Sequence, residues 1–154
     1  MSQLSCIVRT PTISPIIDIA PAVVGDSGDS LPVHTDFGCI TLLNQDEVGG
    51  LKVTHRSTRE LIDVPPIEGS FVINVGDMLA RWSNDRFVST PHGVVNRSGK
   101  ERYSLALFYN PQADAVVDPR QLGVPTGSCK YPPIAAGAYL RQARAANAHR
   151  LRYG

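Results

Sequence analysis

CITLLNQDEVGGLKVT, residues 39–54, holds two short apolar runs joined by a glycine turn. Residues 39–44 and 50–54 are rich in aliphatic and β-branched side chains, and VGG at 48–50 supplies a turn between them. That pattern predicts neighbouring antiparallel strands. Similar runs recur outward from it: ELIDV (60–64), SFVINV (70–75), GVVN (93–96) and YSLALFYN (103–110), with turn chemistry at HRST, PPIEG and NRSGKE. A strand roughly every ten residues points to a mainly β sandwich or barrel. DMLARWSN (77–84) reads as a short helix with Asp77 as its N-cap. AAGAYLRQARAANAHR (135–150), rich in alanine and preceded by Pro132 and Pro133, reads as a C-terminal helix covering part of the sheet. Upstream, ISPIIDIAPAVV (13–24) has room for one strand around Ile16–Ile19, and GDSGDS (25–30) is a turn or linker.

The 154 residues suit one domain with one sizeable core. An apolar content of 42%, a charged content of 19% and a net charge of +1 describe a globular chain without a nucleic-acid or membrane surface. The four arginines and no acid of residues 141–154 read as a solvated helix face. Cys6, Cys39 and Cys129 are odd in number and far apart, which disfavours a disulfide framework and favours a reducing, cytoplasmic compartment. No signal peptide and no membrane span is expected.

Three short patterns carry chemistry. In an extended segment His34 and Asp36 share a face. An ionised aspartate turned inward needs a cation or a strong hydrogen-bond partner, whereas the same pair facing solvent beside a loop needs neither. His92, in STPHGVVN, would by itself suit a structural histidine. Joined to His34 and Asp36 it gives two imidazoles and a carboxylate, a set that takes one face of an octahedral ion and leaves the opposite positions open, as in non-haem Fe(II) oxygenases. Arg102 and Ser104 also stand at i and i+2, followed on that face by the small Ala106. An inward guanidinium beside a hydroxyl and open space suits a carboxylate; an arginine paired with Glu101 or Asp85 at a strand start is the plainer alternative. Phe37 and Cys39 read as packing residues, Asn74, Leu79 and Trp82 as structural, and His55 and His149 as surface histidines.

The order His34-x-Asp36, then His92, then Arg102-x-Ser104 resembles the iron(II)- and 2-oxoglutarate-dependent oxygenases of the isopenicillin N synthase-like branch. The resemblance extends through HTDFGCITLLNQDEVGGLKV, IDVPPIEGSFVINVGDMLARWSNDRFVSTPHGVVN, ERYSLALFYNP and YPPIAAGAYL, nearly continuously from Val33 to Leu140. It implies a double-stranded β-helix, or jelly roll. It implies Fe(II) held by His34, Asp36 and His92, and the C5 carboxylate of 2-oxoglutarate held by Arg102 and Ser104. With dioxygen, such a site oxidises a small organic substrate by hydroxylation, desaturation, ring closure or a related reaction and releases succinate and CO2. A cupin-like metal or sugar-binding jelly roll is disfavoured, since cupins gather three histidines and a glutamate.

The chain departs from that branch before the H-x-D pair. Only 33 residues precede His34, where the branch carries a much longer segment, and TISPIIDIAPAVVGD looks like the beginning of a full-length member. The expectation is a remnant N-terminal segment and linker at 1–30 and an oxygenase jelly roll at 31–154, with a middle section missing. That loss would leave a sheet face uncovered and would remove a tyrosine that usually assists the 2-oxoglutarate carboxylate. The competing expectation is a non-catalytic remnant that binds a metal or a partner without turnover.

Overall fold

The computed structural model describes residues 14–20 and 29–153, and side chains from 31 to 147. Cys6, the linker through residue 28 and the His149 side chain lie outside the described residues. The strands are β1 (Ser14–Ala20), β2 (Asp29–His34), β3 (Ile40–Gln45), β4 (Leu51–Thr54), β5 (Leu61–Asp63), β6 (Val72–Val75), β7 (His92–Val95), β8 (Arg102–Tyr109), β9 (Val116–Val117) and β10 (Ile134–Ala135). The helices are α1 (Asp77–Trp82) and α2 (Ala136–Tyr153). Every apolar run read as a strand forms one, including the segment around Ile16–Ile19.

The strand order is that of a rolled hairpin. The chain doubles back between β4 and β5, so β4 pairs β5, β3 pairs β6, β2 pairs β7 and β1 pairs β8, all antiparallel. Rolling that ribbon brings β8 against β3 and β7 against β4. Two four-stranded sheets result: the larger, with the longer strands, is β1-β8-β3-β6, and the smaller is β2-β7-β4-β5. This is the jelly roll.

The turn at 48–50 works as its sequence predicts. Gly49 and Gly50 adopt φ of +71° and +85°, a left-handed backbone that glycine reaches without Cβ strain. Gly50 O then accepts from Val95 N at 2.9 Å, and a Cβ at Gly50 would stand 2.6 Å from Val95 O.

The densest packing lies beside the sheets rather than between them. Met78 of α1 is wholly buried among Cys39, Val117 and Ala136, with Trp82, Tyr139 and Leu140 packed on them. The C-terminal helix packs where Ile40, at the start of β3, and Val117 of β9 join this cluster. It leans through Tyr139 and Leu140 on this cluster, while Arg141 and Arg144 beyond it are exposed. The outer face of the larger sheet stays open, with Tyr103 and Leu105 each 48% exposed.

The N-terminus of α1 differs from its expected form. Its N-cap is Gly76, without a side-chain cap, and Asp77 stands one position inside the helix. The cause is a close approach: a Cβ at residue 76 would stand 2.2 Å from Gly38 O. The first helical N–H groups are satisfied across that contact by backbone carbonyls. Asp77 N donates to Asp36 O at 2.7 Å and Met78 N to Gly38 O at 3.0 Å.

Candidate metal centre

His34 ends β2 and His92 begins β7, and the two are register partners across that antiparallel pair. Side chains opposite one another in a sheet share a face, and the ring centroids lie 4.5 Å apart. Each imidazole is oriented by the backbone two residues earlier. His34 Nδ1 lies 2.8 Å from Pro32 O, and His92 Nδ1 lies 3.0 Å from Thr90 O. A carbonyl only accepts, so each Nδ1 carries the proton. In the neutral imidazole that tautomer leaves the lone pair on Nε2. Both lone pairs converge on Asp36, whose Oδ1 is 3.8 Å from His34 Nε2 and whose Oδ2 is 3.8 Å from His92 Nε2.

Asp36 is buried at 7% exposure and held on both sides. Its backbone carbonyl is fixed by α1, as described above. Its Oδ2 accepts from Thr41 Oγ1 at 2.6 Å and from Asn74 Nδ2 at 2.8 Å. One nitrogen from each imidazole and one carboxylate oxygen lie within 4.8 Å of one another, the only group of three or more such ligands found among the described residues. The donor set suits a divalent transition ion such as Fe(II): two neutral imidazoles with tautomers fixed by second partners, and one anionic oxygen.

These residues sit on a cavity of about 440 Å³ between the two sheets. Its walls are mainly aliphatic, with Leu31, Leu51, Val53 and Val94 from the smaller sheet and Leu43, Val72, Ala106 and Phe108 from the larger. Arg102 and Ser104 line the same cavity from β8. Arg102 is 5% exposed and held in place. Its Nε donates to Gly49 O, the carbonyl presented by the left-handed turn. Its Nη1 donates to Ser104 Oγ at 2.9 Å and its Nη2 to Gln45 Oε1 at 3.5 Å. Glu101 and Asp85, the plainer partners offered for Arg102, are engaged elsewhere. Glu101 accepts from Tyr103 Oη, and Asp85 accepts from Lys130 Nζ and Tyr131 Oη. A rigid guanidinium fork and a hydroxyl on an apolar wall form a seat for a carboxylate.

The structure thus gathers all five expected site residues on one cavity. Asn74, expected to be structural, bonds the central carboxylate, as does Thr41. Leu79 and Trp82 pack in the cluster behind α1. Phe37 is half-buried and does not line the cavity, and His55 is exposed in the turn before β5. Cys39 is buried, and Cys129 is a partly exposed thiol.

A family model described as the 2OG-Fe(II) oxygenase superfamily matches residues 21–111. A 2-oxoglutarate-Fe(II) type oxidoreductase of Emericella nidulans, hxnY, is 45% identical over 111 residues, which is 71% of this chain and 32% of that protein. A full-length Neurospora crassa protein crystallised in complex with alpha-KG superposes with a TM-score of 0.72 at 39% identity, covering 80% of this chain and 39% of that one. The dioxygenase for auxin oxidation in rice superposes with a TM-score of 0.72 at 32% identity, covering 84% of this chain and 44% of that one. The chain spans less than half the length of these relatives.

Proposed function

This chain belongs to the 2OG-Fe(II) oxygenase superfamily, and from that premise we propose that it oxidises a small organic molecule using Fe(II), 2-oxoglutarate and dioxygen. His34, Asp36 and His92 hold the iron, and Arg102 with Ser104 holds the distal carboxylate of 2-oxoglutarate. The observation that carries this reading is the convergence of His34 Nε2, His92 Nε2 and the Asp36 carboxylate on the cavity that Arg102 and Ser104 also line. The Neurospora crassa protein, which crystallises with alpha-KG, shares the fold.

Bound iron supplies the redox chemistry that couples dioxygen to decarboxylation of the 2-oxo acid. For hydroxylation the balance is substrate C–H, 2-oxoglutarate and O2 giving alcohol, succinate and CO2. The protein's own part is to bind, orient and exclude. The Pro32 and Thr90 carbonyls keep the two Nε2 lone pairs turned inward. Arg102 aligns the cosubstrate by a bidentate, charge-assisted contact. The aliphatic walls keep bulk water from the reacting centre.

Residues 31–154 form the oxygenase unit in this reading, and residues 1–30 are an N-terminal remnant whose strand β1 closes the larger sheet beside β8. A cytoplasmic setting is the reading that the odd number and wide spacing of Cys6, Cys39 and Cys129 support. Among the described residues, no helix is long and apolar enough to cross a membrane.

The test is an anaerobic titration of the purified chain with Fe(II) and 2-oxoglutarate, followed in the visible. Iron chelated by a 2-oxo acid gives a weak charge-transfer band. The band is expected in the native chain and absent from Asp36→Ala. A folded native chain without it would leave the non-catalytic remnant as the better reading.

A further inference from the structure

We propose that Thr41 and Asn74 are positioning residues that restrict Asp36 to ligation through a single oxygen, Oδ1. The inference rests on the reading of His34, Asp36 and His92 as a metal site. It is drawn from how the carboxylate's two oxygens are shared out.

An ionised carboxylate only accepts, with about four lone-pair sites over its two oxygens. Thr41 Oγ1 at 2.6 Å and Asn74 Nδ2 at 2.8 Å both reach the same oxygen, Oδ2. Asn74 Nδ2 can only donate, and the Thr41 hydroxyl donates as well. Two donors occupy the lone pairs of Oδ2 and leave Oδ1, on the His34 side, open to a cation. The two donors are not gathered by chance of loop geometry. Thr41 on β3 and Asn74 on β6 are direct register partners in the larger sheet, so they present their side chains to one point on the inner face. The sheet holds them there, and α1 holds the Asp36 carbonyl. The carboxylate can neither swing away nor rotate to offer both oxygens without breaking a buried hydrogen bond.

Denticity matters for the chemistry. Two imidazoles and one carboxylate oxygen use about half of an octahedral shell and leave about three positions. A 2-oxo acid and dioxygen would need those remaining positions. A carboxylate bound through both oxygens would remove one of them. Thr41 and Asn74 therefore protect the coordination site on which the reaction depends.

The experiment uses Mn(II) and the full chain. Affinity comes from the EPR signal of free Mn(II), and the number of exchangeable waters on the bound ion from pulsed EPR in isotopically labelled water. Thr41→Val removes the donor at nearly constant volume, Asn74→Leu removes the other, and Thr41→Ser restores the hydroxyl. Outer-shell partners of this kind are each worth roughly 10- to 100-fold in metal affinity. The expected result is native binding with about three waters, loss of one water in the Thr41→Val/Asn74→Leu protein, weaker binding in each single variant, and recovery in Thr41→Ser. In an Asp36→Ala background Thr41→Val should change nothing further. An unchanged water count in a folded double variant would overturn the inference, whatever its affinity. So would an equal effect of Thr41→Val with and without Asp36. Failure of the native chain to bind Mn(II) would instead remove the metal-site reading and this inference with it.

Discussion

Replacing Arg102 by leucine should disable cosubstrate binding while leaving the metal triad intact. The guanidinium is 5% exposed and is already tied to Gly49 O, Ser104 Oγ and Gln45 Oε1, so it reaches the cavity with little freedom left to lose. Truncating one partner of a buried, hydrogen-bonded charge pair costs about 2–5 kcal/mol. At about 3 kcal/mol, and about 1.4 kcal/mol per tenfold, the affinity for 2-oxoglutarate should fall about 100-fold. Arg102→Lys keeps the charge but not the fork. One ammonium cannot serve the Gly49 carbonyl, Ser104 and a carboxylate together, so a loss of about tenfold is expected. The leucine variant also strips a partner from Gly49 O, which should cost about 1–3 kcal/mol of stability. For a chain of this length each kcal/mol lowers Tm by about 2–4 °C, so the titrations belong well below the melt. The assay is the anaerobic charge-transfer titration with 2-oxoglutarate at saturating Fe(II), paired with Mn(II) affinity measured without it. Arg102→Leu retaining 2-oxoglutarate affinity within about threefold would refute the carboxylate seat. A collapse of Mn(II) affinity on the scale of Asp36→Ala would refute the separation of the two halves of the site.

Three further outcomes follow from particular contacts. Gly76→Ala would drive a Cβ to 2.2 Å from Gly38 O and 2.9 Å from Asp36 O; displacement of the Asp36 loop should lower both Tm and Mn(II) affinity, read by calorimetry and EPR. Met78→Ala empties the wholly buried centre of the α1 cluster and should cost about 2–5 kcal/mol in urea unfolding. The hydrogen bond from Lys130 holds the Asp85 carboxyl below its ordinary value. The pair's contribution is therefore present above the ordinary carboxylate pKa and lost as pH falls through the lowered one. Asp85→Asn, at a left-handed position that asparagine tolerates, should destabilise by at most about 1 kcal/mol at neutral pH, a difference that closes in acid.

The strands are legible in the sequence because they depend on local periodicity, and so is the Arg102–Ser104 pair on β8. A run of β-branched residues between turn signals marks a strand wherever it later packs. Residues at i and i+2 share a face on any strand, so Arg102 with Ser104 could be paired before the sheets were known; His34 ends β2 and Asp36 lies beyond it, so that pair and His92 are legible by residue type and order, and their convergence is tertiary. Thr41 and Asn74 could not be paired in advance. Each is an ordinary polar residue in its own strand, and their common role exists only once β3 and β6 pair in register and turn both side chains to Asp36. One weak signal was present, since alternation on β3 puts Thr41 on the face of Leu43, an inward position where a hydroxyl wants an acceptor. The misplaced N-cap has a similar origin. Asp77 has the right chemistry for a cap, but the tight approach of Gly76 to Gly38 is tertiary, and it replaces a side-chain cap with backbone carbonyls. The C-terminal helix was legible as a helix, yet its docking on Tyr139 and Leu140 depends on the cluster around Met78, which no local pattern announces.

The open outer face of the larger sheet and the assembled site are compatible because they depend on opposite faces of the same strands. Tyr103 and Leu105 are exposed on the outer side, whereas Arg102 and Ser104, their immediate neighbours in sequence, line the cavity. The inward set is fixed by pairing within the chain: β8 lies between β1 and β3, and β7 between β2 and β4. His92, Arg102 and Ser104 thus sit on strands with both neighbours present, and Asp36 is clamped by β3, β6 and α1. Ligand geometry is carried by these ladders and not by whatever covers the outer face. An uncovered apolar face instead favours association between copies. Tyr103→Glu with Leu105→Glu should therefore reduce concentration-dependent light scattering while leaving Mn(II) affinity unchanged. Loss of Mn(II) binding in that soluble double variant would mean that the two faces are coupled, and that the site cannot be understood from its inner residues alone.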